Sequence, residues 1–184
     1  IEGSIIHGYS NKQHDGFLGH SYIGSWVNIA ADCINSDLKN TYGTVRVPIN
    51  GREVETGEMF VGMLVGDHSK TAINVSFPTG AVVGFCSNVL TPRSPKFVPS
   101  FAWVDGDTLQ AYDVQQGLAI ARKVMLRRNC RMTAAEERLF LQVRQQALAV
   151  EYVRQAPRES KPRRAYPADN GGNGRRRAVL CPAP

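Results

Sequence analysis

The chain has 184 residues, 42% hydrophobic and 21% charged, with 22 Lys and Arg against 16 Asp and Glu for a formal net charge of +6. That balance excludes wholesale disorder, and the length suffices for a domain with a real core plus appendages. No apolar run approaches the ~20 residues of a membrane-spanning helix.

The opening IEGSIIHGYSNK carries neither an initiating Met nor a charged-then-apolar leader pattern, which reads as a fragment of a longer chain. From residue 17 a six-residue period sets in: FLGHSY, IGSWVN, IAADCI (17–34). Its first positions are Phe17, Ile23 and Ile29, and its fifth positions are Ser21, Val27 and Cys33. The same register returns as VGDHSK, TAINVS, FPTGAV, VGFCSN (65–88). There Val65, Thr71, Phe77 and Val83 stand first, and Ser69, Val75, Ala81 and Ser87 stand fifth. Period six is neither the period-two alternation of a sandwich nor a helical period. It suits a solenoid of three flat faces, in which each face sends one side chain into a narrow core and each corner tolerates only small residues.

The segment between the repeat blocks, 35–59, reads as an insertion. Val45, Val47 and Ile49 alternate up to Asn50-Gly51, predicting a projecting hairpin near 44–55. After Val89 the Pro-rich TPRSPKFVPS ends the regular ladder, and Phe97, Phe101 and Trp103 are expected to seal the solenoid. From Asp113, an N-cap, a helical period carries Val114, Leu118, Ala121 and Met125 on one face and ends near Arg128-Asn129. Thr133 and Glu136 form a capping box that opens a second helix to about Val153, with Leu139, Val143, Ala147 and Val150 as its apolar stripe. Arg122, Lys123, Arg127, Arg128 and Arg131 read as a solvated face.

The expected organisation is a β-solenoid domain over 1–104 with its insertion at 35–59, a helical cap over 105–153 and a disordered basic tail over 154–184. Residues 1–153 carry 14 basic and 14 acidic residues, so the whole excess lies in the tail, with 8 basic and 2 acidic residues. The tail reads as a solvated segment, with weak polyanion binding as the alternative and nucleic acid otherwise unlooked for. The four cysteines have no CxxC or Cys/His zinc spacing and read as free thiols of a cytoplasmic protein, with no metal site. His14, Asp15, Asp67 and His68 form a polar set without ligand spacing, read as structural.

The strings GYSNKQHDGFLGHSYIGSWVNI (8–29), LKNTYG (38–43), GDHSK (66–70) and PKFVPSFAW (95–103) resemble the GlmU-like family of sugar-phosphate nucleotidyltransferases, whose C-terminal half is a hexapeptide-repeat acyltransferase. The resemblance implies a left-handed parallel β-helix, a homotrimer, and an N-terminal nucleotidyltransferase domain to which any Mg²⁺ would belong. It also implies acetyl transfer from acetyl-CoA to a hexosamine phosphate, in the biosynthesis of UDP-N-acetylglucosamine-type nucleotide sugars. The alternative is a non-catalytic trimerisation scaffold for that absent domain.

Acyl transfer to an amine needs a base, donors for the oxyanion and a held amine. By the resemblance His20 is the base, and Tyr22 and Asn28 hold the sugar phosphate or support the site. Asp37 stands where the family has an Asn that orients the base, and Lys12 and Lys39 are offered to the phosphate. The structural alternatives are a ladder or surface role for His20, packing between coils for Tyr22, and an amide ladder for Asn28. No residues are assigned to coenzyme A.

Overall fold

The computed structural model describes residues 1–152; the basic tail expected over 154–184 lies outside them. In chain order the strands are β1 (Ile5–Ile6), β2 (Tyr22–Ile23), β3 (Ile34–Asn35), β4 (Arg46–Ile49), β5 (Arg52–Glu55), β6 (Leu64–Val65) and β7 (Lys70–Thr71). They continue as β8 (Ser76–Phe77), β9 (Val82–Val83), β10 (Asn88–Val89), β11 (Phe97–Val98), β12 (Ala102–Asp105) and β13 (Thr108–Ala111). Two helices follow, α1 (Val114–Leu126) and α2 (Ala134–Ala147), and a π-helical turn (Leu148–Tyr152) ends the described chain.

Coils stack in parallel, forming a β-solenoid of about 6 turns that fits a left-handed β-helix with a C-terminal helical hairpin. One face is the sheet β1-β2-β6-β9-β11. A second runs Asn11, Asn28, β7, β10, β12, and a third pairs β3 with β8 and Ser76 with Arg93. The six-residue period is visible twice over. All seven fifth-position residues, from Ser21 to Ser87, are buried. The fourth position of each block (His20, Trp26, Asp32, His68, Asn74, Gly80, Cys86) has a positive φ, between 48° and 67°. Each coil therefore turns its corners on one left-handed residue, and the two-residue strands between corners are the faces.

Two inward assignments are corrected. Phe17 is 43% exposed, and its neighbour Leu18 fills the core at 0%. The irregular spacing of the first coil, where Ile5 pairs with Tyr22 seventeen residues on, shifts the inward side chain by one position. Leu139 of α2 and Val150 of the π-helical turn are exposed while Phe140 is buried, with Ala147 as the buried residue of the expected stripe. A buried aromatic removes more apolar surface from water than Leu, so Phe140 sets the rotation of the helix.

The cap is a second core. Phe101, Cys86, Leu118, Ala121 and Phe140 cluster together, with Phe85, Tyr112, Val114, Met132 and Val143 packed around them. Of the three aromatics expected to seal the solenoid, Phe101 is buried here, while Phe97 and Trp103 are half-buried. Asp113 accepts from the Gln116 amide, and Thr133 and Glu136 form the capping box. The antiparallel hairpin β12–β13 was not anticipated; Asp105-Gly106-Asp107 is its turn signal. At the end of the described chain Glu151 accepts from the Ser100 amide at 2.5 Å, and the Tyr152 hydroxyl donates to the Ser100 and Phe101 carbonyls. These bonds fasten the helical hairpin to a solenoid corner.

The insertion carries the expected hairpin, β4 against β5, turning at Asn50-Gly51 with φ of 48° and 70°. Its foot does not project. Val45 and Val47 are buried against Gly80, where an added Cβ would lie 2.7 Å from Val45 Cγ1.

Candidate functional site

The corner at His20 is the most tightly specified polar site in the solenoid. Asn35 clasps the preceding residue like a strand partner: the Gly19 amide donates to Asn35 Oδ1 (2.9 Å) and Asn35 Nδ2 donates to the Gly19 carbonyl (3.0 Å). Ser21 Oγ donates to the same carbonyl at 2.8 Å. The His20 amide donates to Glu2 O, and its carbonyl accepts from the Gly62 amide at 2.8 Å. Gly62 is obligatory in this packing, because a Cβ there would fall 1.9 Å from the Gly19 oxygen.

The next coil delivers the second group, at the point where the insertion leaves the ladder. The Val61 amide donates to the Asp37 carbonyl, and Leu38 bridges Phe60 antiparallel, so both ends of the insertion are pinned beside the corner. Asp37 Oδ2 lies 2.8 Å from His20 Nδ1. The two side chains are 33% and 17% exposed, sheltered but reachable from solvent. An ionised carboxylate only accepts, so Nδ1 carries the hydrogen and a neutral ring presents its lone pair at Nε2. Gly19 makes room for the carboxylate, since its Cβ would lie 2.7 Å from Asp37 Oδ2. Gly3, on the adjacent coil, borders the other edge of the ring, where a Cβ would come within 3.1 Å of Nε2. The Phe60 ring stands 5.4 Å from the imidazole, centre to centre. Chemically this is an oriented imidazole with one nitrogen fixed by an anion and the other open, the arrangement of a general base.

The remaining candidates separate. Tyr22, two residues on, is 44% exposed and tilts against His7 with ring centres 4.9 Å apart. Asn28 lies on the second face, where its Oδ1 accepts from Asn11 Nδ2 of the adjacent coil at 2.7 Å, the pairing of an amide ladder. Lys12 donates to the carbonyls of His14 (2.6 Å) and Asp15 (2.5 Å), and Lys39 donates to that of Thr44. Both lysines are thereby engaged with backbone in this conformation. Asn35, Phe60, Gly62 and Gly3 carry no signal in the sequence, and the need for the two glycines shows only once the coils are stacked.

The polar set of His14, Asp15, Asp67 and His68 disperses. Asp67 accepts from the Ser25 amide at 2.7 Å. His68 is buried among Trp26, Phe85 and Phe140, its Nδ1 without a partner, and burial together with the nearby Lys70 charge pushes its pKa down to about 4. Among the described residues no group of three or more His, Cys, Asp or Glu is placed to hold a metal ion. Cys33 and Cys86 are free and buried, and Cys130 is free and half-buried. No helix among the described residues is long and apolar enough to cross a membrane.

No protein-family profile matches the chain. It is 34% identical over 84 residues to a bifunctional protein GlmU of Methanococcus maripaludis strain C7, covering 46% of this chain and 20% of that one. A GlmU of Methanococcus aeolicus is 28% identical over 123 residues, 67% of this chain and 26% of that one. A bifunctional sugar-1-phosphate nucleotidylyltransferase/acetyltransferase of Sulfurisphaera tokodaii is 29% identical over 84 residues, 46% and 21% of the two chains. The chain thus spans about a fifth to a quarter of the length of the curated relatives it matches.

Proposed function

We propose that this chain, a GlmU-like portion of a nucleotidyltransferase–acetyltransferase, transfers an acetyl group from acetyl-CoA to the amine of a hexosamine phosphate, with His20 as the base. The observation that carries the proposal is the His20–Asp37 pair, with Nδ1 held at 2.8 Å and Nε2 open. The substrate ammonium gives its proton to Nε2, and the free amine attacks the thioester carbonyl. The tetrahedral intermediate then collapses with loss of coenzyme A thiolate, which takes a proton in turn. Asp37 fixes the ring and stabilises the imidazolium formed on the way, so an Asp serves at this position where an Asn would supply only a neutral acceptor.

The working unit in this proposal is a cytoplasmic homotrimer with the reaction at a subunit interface. Phe17, Tyr22, Met59 and Phe60, all exposed near the His20 corner in sequence or in space, supply apolar surface for a neighbouring copy to cover. The product would feed nucleotide-sugar synthesis. Thiol release from acetyl-CoA in the presence of glucosamine phosphates tests the reading: turnover by the purified chain is expected, and its absence with a folded trimer counts against it.

A second reading is a non-catalytic trimerisation scaffold for an N-terminal nucleotidyltransferase domain. It is favoured by Lys12 and Lys39, whose ammonium groups are turned onto backbone carbonyls rather than presented beside His20.

A further inference from the structure

A cleft of about 320 Å³ opens between the second face of the solenoid and the C-terminal end of α1, away from His20. Lys70, Arg127 and Arg128 line it, and none of its described lining residues is acidic. None of these three cations enters an ion pair among the described residues. Lys70 is half-buried, and its desolvation lowers its pKa, so a charge there is held at a cost that a bound anion would offset. Its Nζ donates to the His68 carbonyl at 2.8 Å, which fixes one hydrogen and leaves two for a ligand.

The rest of the wall is not what a bare anion needs. Tyr9 stacks on Trp26 with ring centres 4.0 Å apart and planes 2° from parallel, Trp26 is backed in turn by His68 at 6.1 Å, and Tyr9, 54% exposed, offers the free face at the outer end of the stack. Beside them the Asn11–Asn28 amide pair uses Asn11 Nδ2 and Asn28 Oδ1. Asn11 Oδ1 and Asn28 Nδ2 have no partner among the described residues, leaving one acceptor and one donor in the cleft. Uncompensated cations, a stacked aromatic surface and an unpaired acceptor–donor set occur together on one wall. Aromatic rings accept a flat base, amides read its edge, and Arg and Lys bind phosphate.

We propose that this cleft is a second ligand site, for a phosphorylated nucleoside, with the phosphates on Lys70, Arg127 and Arg128 and the base on the outer face of Tyr9. The site does not use His20, and it stands whether or not the chain transfers acyl groups. The five arginines and lysines read from sequence as one solvated face therefore divide, two of them serving the cleft.

Calorimetric titration of the full chain with ADP and with inorganic pyrophosphate tests the proposal. The expected result is one saturable ADP site per chain, with pyrophosphate binding at least about tenfold more weakly. Lys70→Met and the double variant Arg127→Ser/Arg128→Ser should each weaken ADP at least about tenfold with the circular dichroism spectrum unchanged. His20→Ala should bind ADP as the parent does, which separates failure of this site from failure of the acyl-transfer reading. Coenzyme A distinguishes the sources: displacement of ADP assigns the nucleoside to the thioester donor, and ADP binding that coenzyme A leaves intact assigns it to a free nucleotide. No saturable ADP binding up to about 1 mM, equal affinity for pyrophosphate, or affinity unaltered in both cation variants would overturn the proposal.

Discussion

Asp37 and His20 are seventeen residues apart and meet at 2.8 Å because Asp37 stacks one coil on from His20, the separation at which Ile5 also pairs with Tyr22. The aspartate stands where the insertion leaves the ladder, and the histidine sits one coil before it. Neither coil alone defines the pair, and their contact gives the imidazole one orientation and one open nitrogen.

Replacing Asp37 with Asn tests that orientation. The amide preserves the shape but not the charge, so the imidazolium formed during proton transfer loses its partner. Acetyl transfer is expected to fall by about 10²-fold or more in kcat, with KM for acetyl-CoA little changed. Steady-state kinetics at saturating amine checks it; a variant with parental kcat would assign Asp37 a purely structural role.

Asn35 acts through the backbone. It is 5% exposed and serves both polar groups of Gly19. Asn35→Ala leaves the buried Gly19 amide without a partner, while the Gly19 carbonyl keeps Ser21 Oγ, for a loss of about 1–3 kcal/mol. Urea unfolding reads that loss, and the residual activity of the folded fraction reads how far the corner drifts.

The helical hairpin depends on Phe140. Its ring lies 5.0 Å from His68, 4.7 Å from Phe85 and 6.2 Å from Phe101. Phe140→Ala is expected to destabilise by about 3–5 kcal/mol. Limited proteolysis should cut first between α1 and α2 in this variant, whereas Leu139→Ala, at an exposed position, should behave as the parent does.

His68 gives the fold a pH dependence. Its native pKa is about 4, against about 6.5 in an unfolded chain, so between these values the unfolded state binds more protons. Its contribution is fully present above about pH 6.5 and is lost progressively as the pH falls toward 4, by about 3 kcal/mol in all. Lys70 reinforces the depression and Glu136 opposes it. Thermal melts from pH 7 to pH 4 should show the loss, and His68→Phe should flatten that limb; an unchanged slope would place the acid sensitivity elsewhere.

The solenoid was legible because its constraint is local and repeated. Val27, Val75 and Ala81 recur at six-residue spacing because each face offers one inward place, and each falls at 0% exposure. The hairpin turn at Asn50-Gly51 and the caps at Asp113 and Thr133 were readable for a similar reason, each being a local backbone requirement met by a specific residue type. Phe17 misled because the first coil departs from the repeat, and Leu139 misled because a stripe four residues wide has two equally periodic settings. At the site, His20 and Asp37 could be named from resemblance, and their contact falls at the one-coil separation of seventeen residues that also pairs Ile5 with Tyr22. Asn35, Gly62 and Gly3 owe their importance to what stacks above and below them, which no linear period records.

The most direct test of the central claim is single-turnover acetyl transfer from acetyl-CoA to a glucosamine phosphate, comparing the parent chain with His20→Gln under conditions where both are folded. Removing the base is expected to lower the transfer rate by about 10²–10⁴-fold without weakening acetyl-CoA binding. Equal rates in the two proteins would contradict catalysis by His20.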